Sequence, residues 1–551
     1  MLTLDQAKAF DRVNHEYLWL LLSKYGLPGG FVDWLKVLYK GAESFPLVNG
    51  WVGQSFEVGS GVRQGCPLSP LLYVFAIDPF IRRLESGMLC GVPVGLPGEP
   101  PLRVVAYADD VSVIVTGTDE AEEVVSLTSR YSEASGSKIN QEKSEVFWMG
   151  KEGEGFDLPD TFPVPRERIK ILGIEFGPGD YGLKNWEGRL EIANAKVVNW
   201  KRWKLSMRER VDLIKTYLIP IFLYVSFVCI LPVSLYARIS SVFFQMLWGN
   251  RLNPIKRNVT YLSRREGGLG MVNPILFFSL LFLKFNIGSM LAVEPPGWAG
   301  IFRSWFSPFL RLWEEGGQVK NRRGHRGQLP AYVAPCLKLL RQWRLSAEDL
   351  RSVPRKDLMS RVLSEVFHDP LALRDCPGPV LRAGLRLINL DRIPPKFRDL
   401  AWLCFHGRLY VRGNLKFRSG VDRSCPREEC AGEEETMDHF LLRCPFNIEV
   451  YKQVGRALGV PFLSRLGYAE WVYGAFSTGG GFCLDTLFLV SLVVRYFTWN
   501  ARCQVSIRQK ILPVEVVVYD IVHEVGKIRG LERDKRGQGA WLKAWRGFKP
   551  P

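Results

Sequence analysis

The tetrapeptide Tyr107-Ala108-Asp109-Asp110 constrains this chain more than any other feature. Two adjacent acids sit inside an apolar run, with Val104-Val105-Ala106 before them and Val111-Ser112-Val113-Ile114-Val115 after. The flanks read as two β-strands, which puts the acids at the bend of a hairpin. Carboxylates held in such a setting shed hydration, and an uncompensated charge there is costly. A divalent cation is the natural compensation: hard ions such as Mg²⁺ take carboxylate oxygens and complete their shell with substrate phosphates. The same four residues also suit a plain turn, where Asp is a good loop former. A further acid and a phosphate-binding context elsewhere in the chain decide between the two.

Asp5 lies in Leu4-Asp5-Gln6-Ala7-Lys8-Ala9-Phe10-Asp11. A strand carrying Asp5 beside the 104–115 hairpin brings three carboxylates together, as phosphoryl transfer by two metal ions requires. Between the acidic stretches comes Ser60-Gly61-Val62-Arg63-Gln64-Gly65-Cys66-Pro67-Leu68-Ser69-Pro70. Its glycines let backbone approach a ligand closely, and the Gln64 amide can both donate and accept. A second constellation is Cys425 and Cys430 followed by His439 and Cys444. Three thiols and an imidazole at this spacing fit one tetrahedral, closed and therefore structural zinc site.

At 551 residues the chain is long enough for two or more domains. Its 73 basic against 56 acidic residues, net +17, favour a polyanionic partner, nucleic acid first. The 17 Trp suit base stacking, although most are expected in the core. The 11 Cys are mostly scattered, and Cys66, Cys90, Cys229 and Cys404 sit among apolar neighbours. Reduced, buried thiols of an intracellular protein are expected, not a disulfide framework; Cys483 and Cys503 are assigned to the core. The first residues lack the basic start and apolar segment of a signal peptide, so the protein is expected in the nucleus and cytoplasm and not secreted. From Thr216 to Ala237 no residue is charged. Pro220 and Pro232 interrupt this run and basic amphipathic sequence precedes it, so a buried helix or helix pair is expected there, not a membrane span.

Apolar spacing predicts a helix over 7–25, ending at Gly26 and Pro28, a second over 33–39, and others over 70–85 and 120–135. Residues 50–58 alternate as a strand hairpin, and 169–176 as a strand pair. The stretch 186–205 reads as a basic helix in which Arg189, Lys196, Lys201, Arg202 and Lys204 accompany Trp186, Trp200 and Trp203, a pattern suited to a phosphate backbone. Val319 to Gly327 reads as a basic linker, and from there to about Val421 helices carry no catalytic signature.

In this order and spacing the motifs resemble the reverse transcriptases of LINE-type (non-LTR) retrotransposons. The matching residues are Asp5 with Phe10, the stretch Gly61 to Pro70, Tyr107 to Asp110, Gly136-Ser137-Lys138-Ile139-Asn140-Gln141-Glu142-Lys143-Ser144, and Leu172-Gly173-Ile174. The resemblance implies an α+β fold: a polymerase palm of antiparallel sheet with helices, then a helical thumb and a mostly helical C-terminal region with a small zinc element. The domains expected are a palm at 1–150, primer-grip strands at 151–180, a helical thumb and following helices at 181–318, a helical connection region at 328–420, a zinc knuckle at 421–447 and a C-terminal helical region at 448–551. It implies RNA-directed DNA polymerase activity on an RNA template, a DNA primer and deoxynucleoside triphosphates, with no membrane partner.

The roles implied follow the motifs. Asp5 and Asp109 are the principal ligands of two Mg²⁺ ions and Asp110 completes the cluster. Lys143 protonates pyrophosphate. Phe10 lies under the sugar and excludes a 2′-hydroxyl. Arg63, Gln64, Gly65 and Tyr107 meet nucleotide and template, while Leu172 and Gly173 hold the primer end. Cys425, Cys430, His439 and Cys444 hold Zn²⁺ in a knuckle that helps grip RNA. The chain departs from the family in having no fingers before Asp5 and no upstream endonuclease. That leaves the Asp5 strand short of partners and raises a second expectation, a nucleic-acid-binding remnant that extends a primer poorly unless fingers are supplied.

Overall fold

The computed structural model describes residues 1–93, 100–140, 142–148, 167–249, 253–316, 319, 330–366, 377–414, 422–476 and 481–550. Gln141 and residues 320–327 of the expected linker lie outside them. The chain forms two compact units. One comprises Met1–Gly188, Val225–Pro232 and Leu281–Val353; the other comprises Arg189–Tyr224, Val233–Leu280 and Pro354–Pro551.

Among the described residues the first unit has ten short strands: β1 (Leu2–Leu4), β2 (Glu43–Ser44), β3 (Leu47–Val48), β4 (Trp51–Val52), β5 (Phe56–Glu57), β6 (Val104–Tyr107), β7 (Asp110–Val113), β8 (Glu145–Val146), β9 (Ile169–Ile171) and β10 (Ile174–Phe176). Its first helices are α1 (Ala9–Arg12), α2 (His15–Lys24), α3 (Gly29–Tyr39), α4 (Ser69–Glu85) and α5 (Thr118–Ser135). The main sheet is antiparallel in the order β6-β7-β1-β8. Period-two alternation buries Leu2, Leu4, Val111 and Val113 on one face. They join a core of Leu18, Leu22, Leu72, Ala76, Phe80 and Val124 from α2, α4 and α5.

Three expectations change here. The helix over 7–25 is interrupted, because Asn14 leaves the helical conformation and its side chain accepts from Tyr17 N–H at 3.0 Å, capping a new helix. The hairpin expected at 50–58 spans 43–57 and turns at Asn49-Gly50, both left-handed at φ 50° and 85°, the backbone of a two-residue type I′ turn. The strand before Asp5 is not short of partners: β1 lies between β7 and β8.

Helix α6 (Tyr181–Trp200) stops five residues before the expected end, and Lys201–Leu205 is a turn. Helices α7 (Met207–Leu213) and α8 (Ile219–Val228) are joined by a π-turn at Ile214–Leu218. This continuous Met207–Val228 helix is long and apolar enough to cross a membrane, with 39% of its most apolar window buried in the protein. Phe222 packs against Phe278 and Phe243 at ring-centroid distances of 5.4 and 6.3 Å.

The second unit has its own core, running from Leu385 to Phe548. Two buried ion pairs cross it. Arg392 donates to both carboxylate oxygens of Glu532 at 2.8 Å, and Arg502 makes a two-pronged contact with Glu435, whose Oε2 also accepts from Arg412 N–H at 2.7 Å. The described cysteines are free thiols, but Cys90 is on the surface instead of in the core, and Cys66, Cys229, Cys483 and Cys503 are half-buried. Removing one partner of a buried pair strands the other charge. Glu435→Ala is therefore expected to destabilise the protein by about 3–5 kcal/mol in denaturant unfolding, whereas Glu435→Met combined with Arg502→Met recovers most of the loss.

Candidate active site and metal centre

Antiparallel register assembles the acids. Leu4 pairs with Val111, so Asp5, the next residue, falls opposite Asp110 at the start of β7. Tyr107 pairs with Asp110, leaving Ala108 and Asp109 as a two-residue turn. Ala108 is left-handed at φ 51°, a conformation costing a non-glycine residue roughly 1–2 kcal/mol. The Asp110 carboxyl is raised above its ordinary pKa, first by partial burial and then by the charges of Asp109 and Asp5. The two neighbouring charges thus disfavour ionisation of Asp110, and a cation bound among the acids relieves that repulsion. The donor set is hard oxygen and fits Mg²⁺.

Asp5 is strapped on both sides. Its N–H donates to Ser144 Oγ at 3.2 Å and its carbonyl accepts from Asn140 N–H at 2.8 Å. Lys143 stands exposed on the same turn and makes no ion pair among the described residues. Beside the acids, Phe10 stacks on Tyr73 with centroids 4.5 Å apart and planes 19° apart. The Tyr73 hydroxyl donates to Gln6 Oε1 at 3.0 Å, and its pKa is pushed up by burial, by Tyr131 and by Asp109.

The glycine-bearing loop is stitched to the segment after Asp5. Gly61 N–H donates to Val13 O at 2.8 Å, Val62 N–H to Phe10 O at 2.7 Å, and His15 Nε2 to Gly61 O at 2.8 Å. A Cβ on Gly61 would lie 2.6 Å from Asp11 O, and φ is +87°. Gln64 Nε2 donates to Asp11 Oδ1 at 3.1 Å. Arg63 donates to Leu38 O at 2.7 Å over the Tyr39 ring, and Gly65 turns with φ 85°. On the opposite flank, the β9–β10 turn at Leu172 (φ 47°) and Gly173 (φ 83°) approaches the acids. Leu172, Lys170, Tyr107, Asp110 and Thr3 line one cavity of about 30 Å³. Gln6, Asp11 and His15 receive no role from the sequence. Their side-chain bonds join residues 46 to 131 positions apart, and no local pattern marks them.

Cys425, Cys430, His439 and Cys444 are all buried, with ligand atoms within 4.8 Å of one another. Cys430 Sγ and Cys444 Sγ are 3.9 Å apart, too far for a disulfide and close to the roughly 3.8 Å that tetrahedral Zn–S bonds of about 2.3 Å require. His439 is fully buried and neither ring nitrogen has a hydrogen-bond partner; Glu433 Oε2 lies 2.9 Å from Nδ1 but off the N–H direction. Such an orphaned imidazole fits a metal ligand. Ala431 and Gly432, left-handed at φ 48° and 80°, fold the first ligand pair back, with Cys425 N–H donating to Glu433 O at 2.8 Å. The Cys425 thiol is raised mainly by its hydrogen bond to Cys444, whose own thiol that bond lowers; burial pushes Cys430 up to about 12. Metal binding therefore releases protons and tightens as pH rises.

Residues 1–176 match the family model described as reverse transcriptase (RNA-dependent DNA polymerase), and residues 384–451 match the one described as zinc-binding in reverse transcriptase. Over residues 1–176 the chain is thus similar to reverse transcriptases. The Cys₃His cluster lies within the region matched by the zinc-binding model. An uncharacterized 149 kDa protein of transposon TX1 from Xenopus laevis is 30% identical over 414 residues, 70% of this chain. The Pol polyprotein of type-2 retrotransposable element R2DM from Drosophila melanogaster is 32% identical over 27% of this chain, and that of a type-1 element R2 from Popillia japonica is 25% identical over 41%. The chain spans 30%, 14% and 38% of these relatives' own lengths.

Two measurements check the geometry. Gly61→Ala drives a methyl into the Asp11 backbone, and is expected to cost about 1–3 kcal/mol in thermal unfolding. Elemental analysis of the parent protein is expected to find about one zinc per chain, and Cys430→Ser to lose it and to have a lower Tm.

Proposed function

We propose that the chain is the polymerase part of an RNA-directed DNA polymerase of the non-LTR type, extending a DNA primer on an RNA template from deoxynucleoside triphosphates by two-metal catalysis. The observation that carries this reading is the facing of Asp5 and Asp110 across the β1–β7 pair with Asp109 in the adjoining turn. When bound there, Mg²⁺ supplies Lewis acidity toward the primer 3′-hydroxyl and neutralises charge on the triphosphate and leaving pyrophosphate.

The residues divide the remaining work. Asp5 and Asp109 are the principal ligands, and Asp110 completes the cluster. Phe10, backed by Tyr73, offers a flat wall to the deoxyribose and leaves no room for a 2′-hydroxyl. Arg63, Gln64 and Gly65 meet nucleotide and template, on a loop held rigid by Asp11 and His15. Tyr107 joins them in meeting nucleotide and template, the Leu172-Gly173 turn holds the primer end, and Lys143 gives a proton to pyrophosphate. The reaction takes place inside the cell, in nucleus and cytoplasm, where reduced thiols keep the zinc cluster available.

Asp109→Asn keeps the shape of the turn and removes one negative ligand. In Mg²⁺-dependent extension of a primed RNA it is expected to lower the rate by roughly a thousandfold with template–primer affinity nearly unchanged. Extension that persists in the variant overturns this reading, as does a parent protein that binds template–primer without extending it.

A further inference from the structure

One surface of the second unit takes no part in either the carboxylate or the zinc site. After α6 the chain turns through Lys201–Leu205, and this turn is firmly held. Trp203 N–H donates to Trp200 O, and Leu205 N–H to Trp203 O, both at 3.0 Å. Arg210 reaches back from α7 and donates to Leu205 O at 3.1 Å and Trp203 O at 3.3 Å. Ser206 and Glu209 form a capping box, and Asp399 accepts from Met207 N–H at 2.9 Å. On this pinned backbone the Trp203 ring is nevertheless 52% exposed. Trp186, in the same tryptophan-rich stretch, is fully buried.

More rings stand alongside. Trp200 meets Tyr217 edge-on with centroids 6.0 Å apart, and Tyr217 is 54% exposed. Tyr217 belongs to the π-turn, where the extra residue leaves Lys215, Thr216 and Tyr217 exposed in succession; π-turns often mark functional positions. Lys196 Nζ lies 5.9 Å from the Trp200 ring centroid, and Arg202 and Lys204 flank Trp203 on the surface. Residues 196–217 hold seven bases against two acids, Glu209 and Asp212. Glu209 is engaged by the Ser206 cap and Asp212 by Arg264 at 3.4 Å.

We infer that this face, with Trp203, Trp200 and Tyr217 among Lys196, Arg202, Lys204 and Lys215, binds single-stranded nucleic acid, unpaired bases stacking on the rings and phosphates pairing with the cations. Base–aromatic stacking with a basic surround is the physical basis of sequence-tolerant strand binding. A duplex offers no free base face, so the exposed indole selects unpaired nucleotides. Trp, Tyr and Lys beside an apolar helix also suit a membrane interface. Against that, Ile214, Leu218 and Phe222 of this helix are fully buried in protein. The inference rests on the nucleic-acid reading above for its class of ligand, and does not need the carboxylate site to be active.

The test uses the full chain with Trp203→Ala, Tyr217→Ala, Trp203→Phe and the pair Arg202→Ala/Lys204→Ala. Probes are oligo(U) and oligo(dT) of roughly 20 nucleotides, a duplex of the same length, and vesicles of phosphatidylcholine with phosphatidylserine. Each alanine at a ring is expected to weaken strand binding about tenfold on RNA and DNA alike, with Trp203→Phe retaining most of the affinity. Duplex binding should change less than about twofold, and the Arg202/Lys204 variant should flatten the salt dependence by about two ions. Unchanged strand affinity in the ring variants overturns the proposal. So does an equal loss on duplex, a loss confined to one sugar, or vesicle binding that tracks the rings in place of strand binding. Because these assays contain no primer or nucleotide triphosphate, their failure leaves the polymerase reading standing, and loss of extension in Asp109→Asn leaves this one.

Discussion

Like-charge repulsion among Asp5, Asp109 and Asp110 is the constraint around which the first unit is organised. Left to themselves, neighbouring carboxylates would move apart. They are held by features that do not depend on charge: the β1–β7 register, the left-handed Ala108 in the turn, and the strap that ties Asp5 to Asn140 and Ser144. Behind them Leu2, Leu4, Val111 and Val113 bury one sheet face against α2, α4 and α5, so the apolar core supplies the free energy that opposes the repulsion. The position of each acid is fixed by backbone and core, independently of any bound ion.

The second unit stores its instability differently. Its thiol cluster crowds ionisable groups together, and its core encloses charges paired in isolation from water. Arg495 is fully buried beside Cys404 and Tyr451. Such groups contribute little net stability but penalise every arrangement in which they are not satisfied. The three cysteines of the Cys₃His cluster lie within this unit's hydrophobic core, so the cluster and the apolar packing share the same residues.

Local patterns in the sequence were legible and long-range pairings were not. The hairpin bearing the acids, α4, α5 and the β9–β10 pair follow from alternation or helical spacing, and the zinc ligands from their spacing alone. The break at Val13-Asn14 was hidden because Phe10, Val13, Tyr17 and Leu18 keep helical spacing straight through it, while the Asn14 cap that decides the matter competes locally. The Asn49-Gly50 turn carried a readable signal that alternation from residue 50 onward obscured. Gln64 offers no hint in sequence that its amide is held by Asp11, 53 positions away. Trp186 and Trp203 show the limit of composition: the same residue type, 17 positions apart, is wholly buried in one case and half exposed in the other.

The two units are interleaved along the chain, and this has a consequence for synthesis on the ribosome. Asp5, Asp109, Asp110 and Leu172 all lie in the first continuous stretch, Met1–Gly188, whereas the same unit also needs Val225–Pro232 and Leu281–Val353. Trp186 already donates its indole N–H to Cys229 O at 3.0 Å across one such gap. At ordinary elongation rates the ribosome takes roughly ten to thirty seconds to pass from residue 188 to residue 353. During that interval the sheet with its acids is complete while the surfaces that its later pieces cover stand open. Nascent chains of this kind are exposed to aggregation and chaperone capture at the stage when the acid-bearing sheet has already formed.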